Sequence, residues 1–232
     1  MQTAYTQSIH FPYDNAKAAD VDAIDSLVIE QATGQDNEAI AAEMQAFYRQ
    51  YGAGMIKDRG LPVLTSTLGR RDVFFIRAGA SGRLLAVSAI FNHDDERVRE
   101  FGGQCSAFPH FGLQRLLNRV GLAWELHRGV SNPAIALVDR RNQPSSRNLI
   151  ACGFQRRRPS SQLIAKLGIS AERFRQLHLF QMAEYVADYQ VTLLKSAIDG
   201  IDVRSSATGK TLPLRSHLGF LPANDNYPFD QA

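Results

Sequence analysis

The order of hydrophobic periodicities between residues 73 and 154 constrains the fold of this chain more than any other feature. Apolar residues alternate or run continuously over short stretches that predict strands, and they recur at helical spacing over longer stretches that predict helices. The predicted strands are 73–77, 84–91, 97–105 and 134–138, and the predicted helices are 111–127 and 142–152. The turn at 78–82 makes the first two strands a hairpin. The strand–helix–strand order from 97 to 138 favours parallel pairing of the last two strands. We therefore expect a mixed α/β fold with a three-layer αβα architecture.

Two further helices are predicted before this region. An apolar stripe from Ile40 to Tyr51, ended by Gly52, predicts a clear amphipathic helix. Helical spacing also predicts an earlier helix, with Asp20 as its N-cap. Its apolar positions are Val21, Ile24, Val28 and Ala32. Residues 3–10 alternate weakly, as an edge strand does, and residues 55–71 are turn-rich and give no clear pattern.

The chain changes character after Pro159. Ser170 is placed to cap a long helix that reaches Ile198, and the last 30 residues are rich in Gly, Pro, Ser and Asn. The expected organisation is a core over residues 1–159, a helical extension over 160–200 and a loosely structured tail over 201–232.

Composition excludes several classes of protein. No stretch approaches 18 consecutive apolar residues, so no transmembrane helix is predicted. The first residues show no secretory signal, and two cysteines are too few for a disulfide framework, so we expect a cytoplasmic protein with reduced thiols. The six histidines show no paired metal-binding spacing, so no metal site is predicted.

The formal net charge of +3 conceals an uneven distribution. Residues 1–50 carry eight acidic residues against Lys17 and Arg49. Much of the positive excess lies in one short stretch and suits a polyanion, either the phosphates of a cofactor or those of a nucleic acid. The residues concerned are Arg140, Arg141, Arg147, Arg156, Arg157 and Arg158.

The segment 136–154 resembles the late strand–helix motif of the GNAT acetyltransferase superfamily. The motif is an apolar strand, an Asn, a small residue three positions later, and Gly-Phe at eleven and twelve. Asn142, Ser145, Gly153 and Phe154 fall on these spacings. The upstream meander of three strands followed by a helix also occurs in the family's order, so the resemblance covers about 80 residues well.

The resemblance implies a site for acyl-CoA. In the family, the strand matching 97–105 bulges and separates from the strand matching 134–138, and the free backbone groups bind the pantetheine arm. Gly102 and Gly103 suit the bulge, and a backbone amide near Gly103 or Gln104 would hold the oxyanion. The pyrophosphate would lie at the N-terminus of the next helix. The cofactor-binding residues implied are Gly103, Gln104, His110, Phe111, Gly112, Asn142, Ser145 and Arg147.

Two positions depart from the family's pattern. The family's phosphate loop, Gln/Arg-x-x-Gly-x-Gly/Ala, corresponds to Ala107–Gly112, where His110 replaces a glycine and Pro109 removes an amide donor. The tyrosine that often protonates the leaving thiolate is replaced by Leu149. A thiolate is nevertheless a tolerable leaving group, since the pKa of a thiol is about 8.5.

Acyl transfer to an amine requires a base, because a lysine-like amine is protonated at neutral pH. The family often places a Glu on the strand matching 97–105. Glu100 is the best match, followed by Glu96 and then His93.

The sequence therefore predicts an N-acyltransferase that uses acetyl-CoA or another acyl-CoA on an unidentified amine. Two alternatives stay open. One is a GNAT-like module that has lost catalysis and serves ligand binding or protein interaction. The other is a basic nucleic-acid-binding protein. The sequence also leaves a homodimer open.

Overall fold

The computed structural model describes residues 22–52, 56–93, 98–108, 110–129, 134–182, 202–218 and 220. Within these residues the chain forms nine strands and six helices. The strands are β1 (Leu27–Gln31), β2 (Val73–Ala78), β3 (Leu84–His93), β4 (Val98–Ser106), β5 (Ala134–Asp139), β6 (Gln155–Arg157), β7 (Leu177–Met182), β8 (Asp202–Arg204) and β9 (Thr211–His217). The helices are α1 (Asn37–Tyr51), α2 (Leu61–Gly69), α3 (Leu113–His127), α4 (Gln143–Ile150), α5 (Ser161–Lys166) and α6 (Ala171–Arg175).

The strands form one mixed sheet in the order β6-β7-β5-β4-β3-β2-β1-β9-β8. Strands β1 to β4 are antiparallel neighbours, whereas β4 and β5 are parallel. The predicted hairpin, the parallel pairing and the mixed α/β class are therefore confirmed.

Helices cover both faces of the sheet. Ile90 and Phe101 point to α3, because both lie against Gly121 of that helix. Neighbouring strand residues point to opposite faces, and Phe91 accordingly lies on the other face, with the Arg59 guanidinium 4.1 Å from its ring centroid. Helices α1 and α2 pack on this second face, so the fold has three layers.

A second, smaller core lies beside β4, β5 and β7. Helices α5 and α6 and the residues that join them cover the sheet there. The buried members of this cluster are Val98, Ile135, Leu167, Phe174 and Leu179.

The early helix predicted from Asp20 is wrong over residues 27–31, which form β1. Leu27, Ile29 and Gln31 are buried, whereas Val28 and Glu30 are half-buried, so burial follows the period of a strand. The helical spacing of Ile24 and Val28 was coincidental. Conversely, residues 61–69 form α2, with Pro62 in its first turn, although no clear hydrophobic pattern predicts a helix there.

The predicted helix from Ser170 to Ile198 is also wrong over residues 177–182. Ser170 does cap a helix, by accepting a hydrogen bond from the amide of Arg173, but α6 ends at Arg175. Strand β7 follows and pairs with β5 along its whole length. The region 160–200 is therefore not simply a helical extension, because β7 belongs to the central sheet.

The region 201–232 was expected to be a loosely structured tail, but it contains β8 and β9. Strand β9 pairs with β1 in parallel, and Leu212, Leu214, Leu218 and Phe220 join the main core. The side chains of β9 alternate between buried and exposed, so their burial follows strand period.

Several predictions fall outside the residues that the structure describes. They are the edge strand at 3–10, Glu96, Pro109 and the parts of the long helix and the tail at 183–201 and 221–232. Among the described helices, none is long and apolar enough to span a membrane.

Candidate functional site

Strands β4 and β5 separate shortly after they begin to pair. They are in register only at Arg99–Ala134 and Glu100–Ile135. On its other side, β5 pairs with β7 from Ala134 to Asp139, and β4 pairs with β3 from Val98 to Ser106, so each strand keeps its outer neighbour while the two separate from each other. The sheet therefore has a gap between two adjacent strands.

A bulge in β4 lies beside this gap. Opposite β3, Gly102 pairs with Ala89 and Cys105 pairs with Val87, so two residues of β4 oppose one of β3. Gly103 takes a φ of +58°, which side-chain-bearing residues rarely adopt. A β-carbon at Gly103 would lie 2.6 Å from the Tyr48 hydroxyl, so α1 leaves no room for a side chain.

Tyr48 brings a buried hydroxyl to the bulge. Its oxygen has no hydrogen-bond partner within the described structure. Burial raises the pKa of Tyr48 far above its ordinary value of 10.0, so the phenol stays neutral.

Arg99 anchors the end at which the two strands still pair. Its guanidinium lies on the α3 face and is bound by Glu125, with Nε–Oε2 at 2.7 Å and Nη2–Oε1 at 2.5 Å. Asp72 accepts a further bond from Nη2 at 3.1 Å. All three side chains are almost fully buried, so this pairing is satisfied internally.

A cavity of about 450 Å³ passes through the gap. Its walls at the gap are the strand segments 102–104 and 136–139. On the α3 side it is lined by residues of α3 and α4 and by the residue before α4. On the other side it is lined by the α1–α2 connection, by residues 167–170 and by Arg173. The lining side chains on the α3 side include Gln114, Asn142, Ser145 and Leu149.

Glu100 is the carboxylate at the closed end of the gap. Arg59 Nη2 donates to both carboxylate oxygens, at 2.9 and 2.8 Å, and His93 Nε2 lies 2.6 Å from Oε2. Burial alone would raise the pKa of Glu100, but the hydrogen bond from His93 and the charge of Arg59 outweigh it and hold the pKa below its ordinary value. Glu100 is therefore ionised at neutral pH.

In the loop between β4 and α3, the backbone has positive φ at His110, the position where the family's loop has a glycine. His110 has a φ of +70° and Gly112 a φ of +68°. The His110 side chain is exposed, and its carbonyl accepts bonds from Ser206 N at 2.9 Å and Ser206 Oγ at 3.1 Å. Gly112 caps α3 without a side-chain hydrogen bond, so no capping side chain occupies the first-turn amides of this 15-residue helix.

The start of α4 is fixed by Asn142. Its Oδ1 accepts from the Ser145 amide at 3.1 Å, and within the described structure its Nδ2 amide has no partner. The side chain of Gln104 hydrogen-bonds Asn118 of α3. Leu149 is buried against the cavity and supplies no acidic proton.

The structure brings some of the predicted site residues together and leaves others apart. Those that line the cavity are Glu100, Gly103, Gln104, Asn142 and Ser145, and His93 contacts Glu100. His110, Phe111, Gly112 and Arg147 do not line it: Phe111 is buried in the core, and Arg147 is exposed in the last turn of α4.

The sequence interpretation missed Arg59 and Tyr48. Tyr48 was assigned to the apolar stripe of α1, which is where most of its ring lies. Arg59 belongs to the turn-rich segment 55–71, where no periodicity predicted its direction.

Comparison with known proteins finds similarity only in structure. No protein-family model and no curated protein matches the sequence. A putative acetyltransferase from Salmonella typhimurium, YncA, solved with acetyl-CoA, is 18% identical with a TM-score of 0.51, covering 70% of this chain and 97% of that one. Rv2747 from Mycobacterium tuberculosis, solved with CoA and NLQ, is 10% identical with a TM-score of 0.50, covering 66% and 97%.

A longer protein also matches. N-acetylglutamate synthase from Neisseria gonorrhoeae is 17% identical over 67% of this chain, with a TM-score of 0.47. The chain spans about a third of the length of that protein, 34%. At these identities the comparisons show the fold alone.

Proposed function

We propose that this chain, which has the fold of the GNAT acetyltransferases, is an N-acyltransferase that moves an acetyl or other acyl group from acyl-CoA to an amine. The observation that carries the proposal is the gap between β4 and β5 with a cavity through it. A continuous sheet would have no such opening, because adjacent strands normally lie about 4.8 Å apart.

The residues at the gap fit the pantetheine arm of CoA. Beyond Glu100 and Ile135, β4 and β5 no longer pair with each other, so their facing backbone groups need other partners. The pantetheine arm carries two amides in an extended chain and would bind here as a strand does. Gly103 and Gln104 are the proposed contacts on β4, and the Nδ2 amide of Asn142 is a further donor.

The first turn of α3 fits the pyrophosphate. Unoccupied amides and the helix dipole favour negative charge there. The backbone of the preceding loop has positive φ at His110 and Gly112, a conformation that glycine adopts most readily. Arg147 and the amides of Phe111 and Gly112 stay predictions for this part of the site.

The acyl group would be transferred at the closed end of the gap, beside Glu100. Acyl-CoA supplies the acyl group as an activated thioester. The amine nitrogen forms a bond to the acyl carbon, the carbon–sulfur bond breaks, and the sulfur leaves with the electron pair. Glu100 receives the proton that the amine loses, directly or through water, while His93, whose Nε2 lies 2.6 Å from Glu100 Oε2, holds the carboxylate in place. With Leu149 in place of an acid, the thiolate takes its proton from water.

Thermal unfolding with and without acetyl-CoA tests the proposal. At about 100 Kd, acetyl-CoA should add about 2.7 kcal/mol to the free energy of unfolding, and ATP at the same concentration serves as the polyanion control. Thiol release from acetyl-CoA should then rise when an accepted amine is added. If acetyl-CoA stabilises the protein no more than ATP does, the proposal is wrong. Stabilisation without amine-dependent thiol release would favour a binding module without catalysis.

A further inference from the structure

We infer that the amine acceptor is a small molecule that also carries a carboxylate, as an amino acid does. This inference rests on the proposed function and concerns the acceptor half of the cavity, which we define as the part on the α1–α2 face of the sheet. Five ionisable side chains line it, namely Lys57, Arg59, Glu100, Asp139 and Arg173.

Both carboxylates of the acceptor half are already neutralised by guanidinium groups. Glu100 is bound by Arg59 at 2.8 and 2.9 Å, and its side chain is 9% exposed. Asp139 is bound by Arg141, with Nε–Oδ1 at 2.8 Å and Nη2–Oδ2 at 2.9 Å, and is 4% exposed. A cationic acceptor would find no free carboxylate among these groups.

Two further cations of the acceptor half are not hydrogen-bonded to a described carboxylate. Lys57 is exposed and forms no ion pair with any described residue. Arg173 lies 3.7 Å from Asp139 Oδ2, too far for a hydrogen bond, and its Nη1 donates to the neutral Gln176 side chain at 2.8 Å. Its side chain is 45% exposed. The acceptor half therefore has a surplus of positive charge.

The positive surplus selects the acceptor in two ways. It attracts a carboxylate, which is best recognised by charge-assisted hydrogen bonds. It also disfavours an ammonium ion, so a bound amine is shifted toward the neutral form that acyl transfer needs. Ile56, Leu167 and Ile169 line the same region and suit a short hydrocarbon part. The acceptor's amine would face Glu100, and its carboxylate would lie near Lys57 and Arg173.

Matched pairs of amines test the inference. Leucine and 3-methylbutylamine differ only by the carboxylate, as do phenylalanine and 2-phenylethylamine, and spermidine represents a polycation. We expect kcat/KM to be about 10- to 100-fold higher for the carboxylate-bearing member of a pair. With CoA present, that member should also raise the unfolding temperature more than its partner, a readout that does not require turnover.

Variants then assign the preference to residues. Lys57→Gln and Arg173→Gln should each reduce the ratio within a pair severalfold, and the double variant should bring it close to one. Arg175→Gln is the matched control, because Arg175 is exposed on the same helix but does not line the cavity. It should leave the ratio unchanged.

The outcomes separate this inference from the proposed function. If acetyl-CoA fails to stabilise the protein, the proposed function and the inference both fail. If acetyl-CoA binds but the amines without a carboxylate, or spermidine, react equally well or better, only the inference is wrong. Acetyl-CoA binding with no response to any carboxylate-bearing amine also overturns it.

Discussion

The carboxylate of Glu100 is held by groups from two other parts of the chain. Arg59 reaches it from the α1–α2 connection, and His93 reaches it from the end of β3. The carboxylate stays ionised at the closed end of the gap, because the hydrogen bond from His93 and the charge of Arg59 outweigh the effect of burial on its pKa. The proposed transfer needs an ionised carboxylate beside the reacting amine, because that carboxylate can accept the proton that the amine loses.

Glu100→Gln should lower both activity and stability. Acyl transfer should fall by about 100-fold or more, since a general base is lost. The free energy of unfolding should fall by about 3 kcal/mol, because Arg59 is left buried without its partner. Urea unfolding and thiol release measure these effects. Glu43→Gln is the control, since Glu43 forms a similar two-point pair with Arg77 but is 39% exposed, and its loss should cost below about 1 kcal/mol. Equal destabilisation by the two variants would contradict this account.

The same substitution should change the dependence of stability on pH. The folded-state pKa of Glu100 is below its ordinary value of 4.5, so its carboxylate stabilises the fold above that pH. This contribution is lost as the pH falls through the lower, folded-state pKa. The wild-type protein should therefore lose more stability than Glu100→Gln when acidified below 4.5. Parallel acid-unfolding curves would show that Glu100 is not the group responsible.

At the residue scale, the carboxylate of the site and its histidine partner were predicted from the resemblance. Glu100 was the first candidate for the base because the family often places a Glu on the strand at 97–105, His93 was the third, and the β3–β4 hairpin brings the two together. Lys57 and Arg59 were not candidates, because long side chains in irregular segments receive their direction from tertiary contacts that no local pattern records. Arg173 was not a candidate either, because its helix was predicted without the cavity that it faces.

The element on which the site depends is the bulged strand β4. Its bulge requires a residue with positive φ at position 103, and α1 fills the space that a side chain would need. The two constraints are independent, and only glycine satisfies both.

Gly103→Ala should therefore destabilise the protein more than another glycine substitution at positive φ. Gly82, in the β2–β3 turn, has a φ of +63° and nothing within 4 Å of its added β-carbon. Gly82→Ala should cost about 1 kcal/mol from the backbone alone, and Gly103→Ala about 2–4 kcal/mol because a clash is added. Tyr48→Phe removes the clashing oxygen and should recover part of the difference in the double variant. Denaturant unfolding of the wild type, Gly103→Ala, Tyr48→Phe and the double variant measures the coupling, and additivity would contradict the clash.

Elements with a clear period were predicted, and elements whose period is ambiguous were not. Helices α1, α3 and α4 and strands β2 to β5 all follow their hydrophobic patterns. Strand β1 was mistaken for a helix because Ile24 and Val28 happen to lie four residues apart. Strand β7 was missed because its neighbours in the sheet are set by long-range pairing, and its LHLFQM sequence also fits a helix.

At the scale of the whole molecule, the C-terminal strands extend the sheet beyond the acyltransferase-like core. Strand β9 covers the edge of β1, and the turn before it holds the loop that precedes α3 through Ser206. The region therefore supports the N-terminal side of the sheet and the proposed phosphate loop together.

Leu214→Ala tests this role. Leu214 is 5% exposed in the main core, so truncation should cost about 2–4 kcal/mol. Leu61→Ala is the control, because Leu61 is 44% exposed on α2 and its truncation should cost about 0.5 kcal/mol or less. Urea unfolding of both variants measures the difference. A loosely attached tail would instead make the two costs equal.

The position of β7 between β5 and β6 determines the order in which the sheet can form during synthesis. During synthesis β6 leaves the ribosome before β7, yet it has no place in the sheet until β7 arrives. The β5 wall of the gap therefore gains its outer neighbour late in synthesis. The pairing of β5 with β7 joins distant parts of the chain, and such contacts form slowly. A nascent chain that ends before residue 177 has β4 and β5 but no outer neighbour for β5. The ability to bind CoA should therefore appear only once the β7 segment has emerged from the ribosome.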